Sequence, residues 1–278
     1  MNKTKFSVLM SVYYKENPSY LDESLDSIFN QTLKPNEVVL VEDGPLNEEL
    51  DNVINKYKNK HECFKIVKLK ENMGLGKALN EGLKYCQYEY VARMDSDDIS
   101  IPNRFEKQIS YLEQHPEIDM LGSNIAEYDE KMTTITGHRI VPENNNEILK
   151  MMKKRNPFNH MSVIYKKNRV IQVGSYIDMP YFEDYYLWCR MAVDGCSFYN
   201  IQENLLQVRA GLSMIERRGG KKYNKYILNF QKAIKNIGLI NGFEYQKNIF
   251  IRYVISNIPK KIRMYFYKKI LRKKEGSF

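Results

Sequence analysis

Four short apolar runs divide the first hundred residues, and helical spacing fills the gaps between them. Phe6–Val12 is the first run, followed after Pro18 by Leu21, Ser24, Leu25 and Ile28. The second, Glu37–Val41, stops at the turn Glu42-Asp43-Gly44-Pro45. Phe64–Leu69 is the third, and Leu75, Leu79 and Leu83 space a helix behind it. Tyr90–Met94 is the fourth and runs into Asp95-Ser96-Asp97-Asp98. Short, continuously apolar segments suit strands buried on both faces. Their alternation with helices predicts an α/β fold with a mostly parallel central sheet flanked by helices. Ligands of such sheets bind beyond the carboxyl ends of the strands. The acidic groups at residues 42–43 and 95–98 are therefore expected to face one crevice.

The second half is more mixed. Pro102–Gln114 reads as a helix with proline in its first turn. Residues 119–140 read as strands around Asp129-Glu130-Lys131, and Met161–Tyr165 as another strand. Glu183–Ala192, 221–238 and 243–257 read as helices, and a final basic helix is expected from Pro259. A chain of 278 residues allows one large domain with a small extension. No apolar run approaches the length of a membrane span, and the N-terminus enters a strand without a signal-peptide pattern. Cys63, Cys86, Cys189 and Cys196 form no Cys-x-x-Cys pair and are expected to be inert thiols. A cytoplasmic location is therefore expected.

Three carboxylates within Asp95–Asp98 repel one another unless water or a cation intervenes. Mg²⁺ or Mn²⁺ prefers such oxygen ligands and shares them with substrate phosphates; a solvated acidic turn is the alternative. Asp43 either accepts hydrogen bonds from a base or ribose or serves the turn before Gly44-Pro45. Gly74 and Gly76 precede a helix, so backbone amides there are able to approach a phosphate, with Lys77 adding charge. The spacing is neither that of a P-loop nor of the three-glycine dinucleotide fingerprint. Glu183-Asp184 opens a helix, where a carboxylate either acts as a general base or simply complements the helix dipole.

In this order the segments resemble the family 2 glycosyltransferases of GT-A fold, over about residues 5–220. The resemblance rests on Ser7–Tyr13, Val39–Gly44, Asn72–Asn80, Ala92–Asp98 and Glu183-Asp184. It implies a Rossmann-like domain over 1–220, with a nucleotide-binding half (1–100) and an acceptor-binding half (101–220). Residues 221–278 would form a helical extension. Asp43 would bind the nucleotide base with Tyr13 beside it, Gly74 and Lys77 would lie on the donor side, and Asp95 with Ser96 would meet the ribose or donor sugar. Asp97 would ligate Mn²⁺ or Mg²⁺, and Asp184 would be the base of an inverting transfer. The implied donor is a UDP-sugar, and the implied acceptor a glycan on a polyprenyl diphosphate. Processive members carry Gln-x-x-Arg-Trp and membrane helices; neither occurs here, which favours one sugar per encounter. Asn156–Val163 and Arg217–Gly220 resemble bacterial members that assemble capsule or O-antigen repeats. His160 either lines the site or is a core histidine, and Arg209, Arg217 and Arg218 either clamp phosphates or are solvated.

The charge of +9 is uneven, because residues 259–278 hold eight Lys/Arg against one acid. A nearly neutral body argues against a broad nucleic-acid surface and for a local contact with something anionic. Within 259–274, Ile262, Tyr265, Phe266 and Ile270 alternate with lysines as in an amphipathic helix. That pattern predicts peripheral attachment to the anionic inner face of the cell membrane. Two other functions compete with this reading. A sugar nucleotidyltransferase needs a glycine-rich triphosphate loop near the N-terminus, which Ser11–Lys15 does not supply. A basic lipid- or nucleic-acid-binding module fits the tail but not the neutral body.

Overall fold

The computed structural model describes residues 4–209 and 220–257. Strands β1 (Phe6–Val12), β2 (Glu37–Glu42), β3 (Phe64–Lys68) and β4 (Tyr90–Arg93) alternate with helices α1 (Pro18–Phe29), α2 (Glu48–Lys58) and α3 (Leu75–Tyr85). Then follow β5 (Ile99–Ser100), α4 (Arg104–Gln114), β6 (Met120–Tyr128), β7 (Ile135–Arg139) and α5 (Asn145–Met152). A 3-10 turn at His160–Ser162 leads to β8 (Ile164–Lys166), α6 (Lys167–Gln172), α7 (Glu183–Val193) and β9 (Phe198–Arg209). The described chain ends in α8 (Gly220–Asn236) and α9 (Gly242–Asn257).

The strands form one sheet in the order β3-β2-β1-β4-β8-β6-β9-β5, with β7 paired to β6. The first four are parallel, as the β-α-β-α-β pattern predicts. β8 enters antiparallel to both β4 and β6, and β6 runs parallel to β9.

Side chains of β1 and β2 point alternately into two cores, which is why these strands are apolar throughout. Val8, Met10, Val38 and Leu40 pack with Leu25 of α1, Ile54 of α2 and Phe105 of α4. Leu9, Val39 and Val41 pack with Leu79 of α3 and Trp188 of α7. Each such fully buried side chain contributes about 2 kcal/mol of apolar transfer energy. Helices therefore cover both faces, as expected. On the second face, the Phe230 ring of α8 stacks on Phe182 at 4.6 Å and packs 4.6 Å from Tyr185, which docks the C-terminal helices.

Two local expectations shift. Pro102 lies before α4 rather than in its first turn, its carbonyl accepting from Thr32 N–H at 2.8 Å. Residues 161–162 belong to the 3-10 turn rather than a strand, because Asn159 O accepts both Ser162 N–H and Ser162 Oγ–H at 2.8 Å. Residues 198–209 drew no strand expectation, yet β9 spans twelve residues. Its polar Gln202-Glu203-Asn204 stretch coincides with register shifts against β6 that break the alternation. Cys86, Cys189 and Cys196 are buried, and burial pushes the Cys86 thiol up to about 12. Among the described residues no helix is long and apolar enough to cross a membrane. The expected basic helix at 259–274, with Arg217 and Arg218, lies outside the described residues.

Candidate active site

The loops after β2 and β3 are tied together by one carboxylate. Asp43, 3% exposed, accepts Met73 N–H at 2.7 Å on Oδ1 and Gly74 N–H at 3.0 Å on Oδ2. The negative charge also sits at the start of α3, where the helix dipole favours it. Gly44 has φ +86, and a Cβ there would meet Asn72 N at 2.6 Å, so only glycine lets the loops close. Gly74, at φ +85, turns the chain into α3. Asp43 N–H donates to Val12 O at 2.8 Å, so Tyr13 and Asp43 leave the sheet side by side. Tyr13 is 40% exposed, and Lys77 lies exposed in the first turn of α3. The structure thus gathers Tyr13, Asp43 and Gly74 at one edge. It also gives the Asp43 oxygens partners within the protein; each oxygen keeps a second lone pair for an incoming donor.

The acidic loop after β4 is built on buried cations. Arg93, fully buried, pairs its Nη2 with Asp95 Oδ1 at 2.6 Å, and His160 Nε2 lies 3.0 Å from Asp95 Oδ2. Ser24 Oγ donates to Asp95 O at 2.9 Å, and Ser96 Oγ donates to Glu16. Behind the loop, Arg104 Nη2 donates to Arg93 O (2.8 Å) and Met161 O (3.0 Å). Its Nη1 reaches Ser100 Oγ at 3.0 Å, and its Nε reaches Gln108 Oε1 at 3.0 Å. From β9, Arg209 N–H donates to Asp98 Oδ1 at 3.2 Å. The Arg209 guanidinium bonds Asp97 O and Glu23 and lies 4.1 Å over the Tyr20 ring. Arg209 is thus a strut of the loop.

One carboxylate oxygen from each of Asp95, Asp97 and Asp98 lies within 4.8 Å of the others. Their charges are unequally compensated. Burial opposes the charge on Asp95, but Arg93 and His160 outweigh it and hold this carboxyl well below the usual range. Burial, then the charges of Asp95 and Glu16, push Asp97 up to about 7. Burial and the Asp97 and Asp95 charges raise Asp98 well above the ordinary value. Two clustered carboxylates that resist ionisation are what a hard divalent cation would relieve, so the donor set fits Mg²⁺ or Mn²⁺.

A carboxyl whose folded pKa is raised stabilises the fold in its protonated form. For Asp97 that contribution is complete below about 4 and is lost as pH rises through about 7. In EDTA, the melting temperature of the wild type should fall more between about pH 5 and pH 7.5 than that of Asp97→Asn. Mn²⁺ at the higher pH should reverse the difference. Parallel profiles for the two proteins would show that Asp97 is unperturbed.

Asp184 lies at the start of α7, where its charge acts on Arg93 and His160. The loop before it is clamped twice. Asn80 of α3 donates to Tyr176 O at 2.6 Å and accepts Tyr176 N–H at 2.8 Å. The Arg190 guanidinium donates to Val173 O and Ser175 O. Gly76 faces Glu183, whose Cγ would sit 3.2 Å from a Cβ, so α3 and α7 start side by side. Burial, then the charge of Asp184, pushes Glu183 up to about 7. Asp184 Oδ1 is buried and has no hydrogen-bond partner among the described residues. Arg93 and His160 each feel both Asp95 and Asp184, and they join the two sides of the site. Burial works against charge on His160, but these carboxylates raise its pKa.

Sequence reasoning did not single out Arg93, Arg104, Glu16 or Tyr176. Arg93 had a signal: a lone cation within an apolar run, two residues before Asp95. The others had none: Glu16 meets Ser96, Tyr176 meets Asn80 and Arg104 meets Met161 only through the fold.

The model of the family described as "Glycosyl transferase family 2" matches residues 7–179. The amylovoran biosynthesis glycosyltransferase AmsE of Erwinia amylovora is 42% identical, covering 95% of this chain and 98% of its own. An Escherichia coli protein named UDP-Gal:alpha-D-GlcNAc-diphosphoundecaprenol beta-1,3-galactosyltransferase is 37% identical over 97% of both chains. Among solved structures, S. aureus TarS 1–349 in complex with UDP-GlcNAc superimposes with a TM-score of 0.68 at 20% identity. That match covers 90% of this chain and 72% of the TarS fragment, whereas the chain spans 46% of the longer TarS structure. The TarS likeness establishes the GT-A fold.

Proposed function

The chain belongs to glycosyl transferase family 2, and from that premise we propose that it moves one sugar from a UDP-sugar to a glycan acceptor on a lipid diphosphate, with inversion and with help from a divalent metal. The observation that carries this reading is the Asp95–Asp97–Asp98 cluster, linked to Asp184 through Arg93 and His160, which each feel both Asp95 and Asp184. The name of the Escherichia coli relative supports both a UDP-sugar donor and a diphosphate-linked lipid acceptor. The name of AmsE supports a role in polysaccharide biosynthesis.

In the reaction, the Asp184 carboxylate takes the proton of the acceptor hydroxyl. The acceptor oxygen bonds to the anomeric carbon as the bond from that carbon to the diphosphate breaks on the opposite face. Asp97, with an oxygen of Asp95 and of Asp98 within 4.8 Å, would hold the cation. When bound, Mn²⁺ or Mg²⁺ supplies the positive charge that neutralises the departing nucleoside diphosphate. Arg93 and His160 keep Asp95 ionised and fixed, so that the loop costs no reorganisation during the step. Tyr13, Asp43, Gly74, Lys77 and Ser96 form the donor side, within residues 1–100, and 101–220 supplies the acceptor side. A lipid-linked acceptor places the enzyme at the membrane face, where the basic segment 259–274 would add attachment.

Thermal unfolding with UDP, with and without Mn²⁺, tests the reading. At a hundredfold excess over Kd a ligand adds about 2.7 kcal/mol, a rise of roughly 5 °C or more for a chain of this size. The rise should need Mn²⁺ and vanish in Asp97→Ala. A rise with GDP or CDP instead of UDP would change the donor. No rise with any nucleotide would overturn the reading.

A further inference from the structure

Helix α9 is held to the body by one side and leaves the other open. Asn248 Nδ2 donates to Lys153 O at 2.8 Å and to Gln231 Oε1 at 3.0 Å, and Arg252 Nη2 donates to Lys154 O at 2.9 Å. Tyr245 packs against the core below. Phe243, Lys247, Phe250 and Val254 recur at spacings of three and four, so they share the opposite face. Phe243 is 77% exposed, Phe250 69% and Val254 45%. Two phenylalanines turned this far into water on one helical face mark a contact surface rather than scattered exposure.

The chemistry beside the stripe is cationic. Lys153, Lys154, Lys247 and Arg252 line a shallow groove with Phe243 and Ile251. The acid among its lining residues, Glu244, is paired with Lys153 at 3.3 Å. Aromatic side chains next to clustered cations suit the headgroup boundary of an anionic bilayer. There the rings enter the acyl edge and the ammonium groups meet phosphates. A second copy of this chain is a poorer occupant, because a two-fold contact would set these cations against their own images.

We propose that the face of α9 bearing Phe243, Phe250 and Val254, with the basic groove between α9 and the end of α5, docks on an anionic phospholipid surface. This surface is distinct from the basic segment 259–274, and it orients the enzyme through a folded element.

Flotation of the full chain with vesicles of phosphatidylglycerol and phosphatidylcholine, against phosphatidylcholine alone, tests this in the absence of donor and acceptor. The outcome is therefore independent of the transfer reaction. Wild type should float with the anionic vesicles and not with the neutral ones. Phe243→Ser/Phe250→Ser should lower partitioning by roughly tenfold or more. Its melting temperature, and its transfer rate to a detergent-dispersed acceptor, should stay unchanged. Lys154→Glu/Lys247→Glu should weaken binding in parallel. Equal flotation of wild type and the phenylalanine variant would overturn the proposal, as would no flotation of wild type. A wild-type dimer that this variant converts to monomer, seen by light scattering, would assign the face to a second copy instead.

Discussion

Asp184→Asn is expected to slow sugar transfer by about a thousandfold while leaving nucleotide binding in place. The substitution preserves size but removes the negative charge and the capacity to take a proton. It acts on a half-buried carboxylate whose inner oxygen, Oδ1, has no hydrogen-bond partner among the described residues. The supporting frame should be undisturbed, since Asn80 and Arg190 grip the preceding loop through main-chain carbonyls. Steady-state kinetics should show the loss in kcat with little change in donor KM, and the Mn²⁺-dependent thermal shift with UDP should persist. Glu183→Gln is the control, because Glu183 turns toward Gly76 and should matter much less. A variant at Asp184 that kept a tenth of the wild-type rate would move the base elsewhere.

Arg104→Leu is expected to destabilise the fold by about 4 kcal/mol, the range for removing one member of a buried charged network. Arg104 is fully buried, and burial pulls its guanidinium down to about 9, which still leaves it charged at neutral pH. Leucine would strand the carbonyls of Arg93 and Met161 and the side chains of Ser100 and Gln108. It would also withdraw a cation from Asp98 and Asp95. Urea unfolding should show the midpoint falling with little change in slope. Lysine should not rescue it, since a single ammonium cannot reproduce the planar fork. A loss under about 1 kcal/mol would mean that water replaces the guanidinium without penalty.

The four parallel strands were legible because each is a run of neighbours with one physical requirement, burial on both faces. Helix α7 was legible through its apolar spacing, and its opening acids at 183–184 were visible as such. The roles within the acidic cluster were less so. Asp95, Asp97 and Asp98 are alike in sequence. They separate only because Arg93 and His160 compensate the first and leave the others crowded. Arg209 read as either a phosphate clamp or a solvated arginine; its guanidinium bonds Asp97 O and Glu23. Strand β9 escaped notice because it is half polar and takes its register from β6 rather than from its own alternation.

The sequence by itself determined the α/β class, the order of the first four strands, the turn glycines at 44 and 74, and the placing of acids at strand ends. Those follow from periodicity and backbone sterics, which act between near neighbours. Only the tertiary structure decided which acid meets which cation. β8 enters antiparallel beside β4, bringing the 3-10 turn with His160 against Asp95, 65 positions away in the chain. Arg104 and Arg209 reach the same loop from α4 and β9. Electrostatic energy in a buried site depends on distance through space and on desolvation, and neither can be counted along a chain.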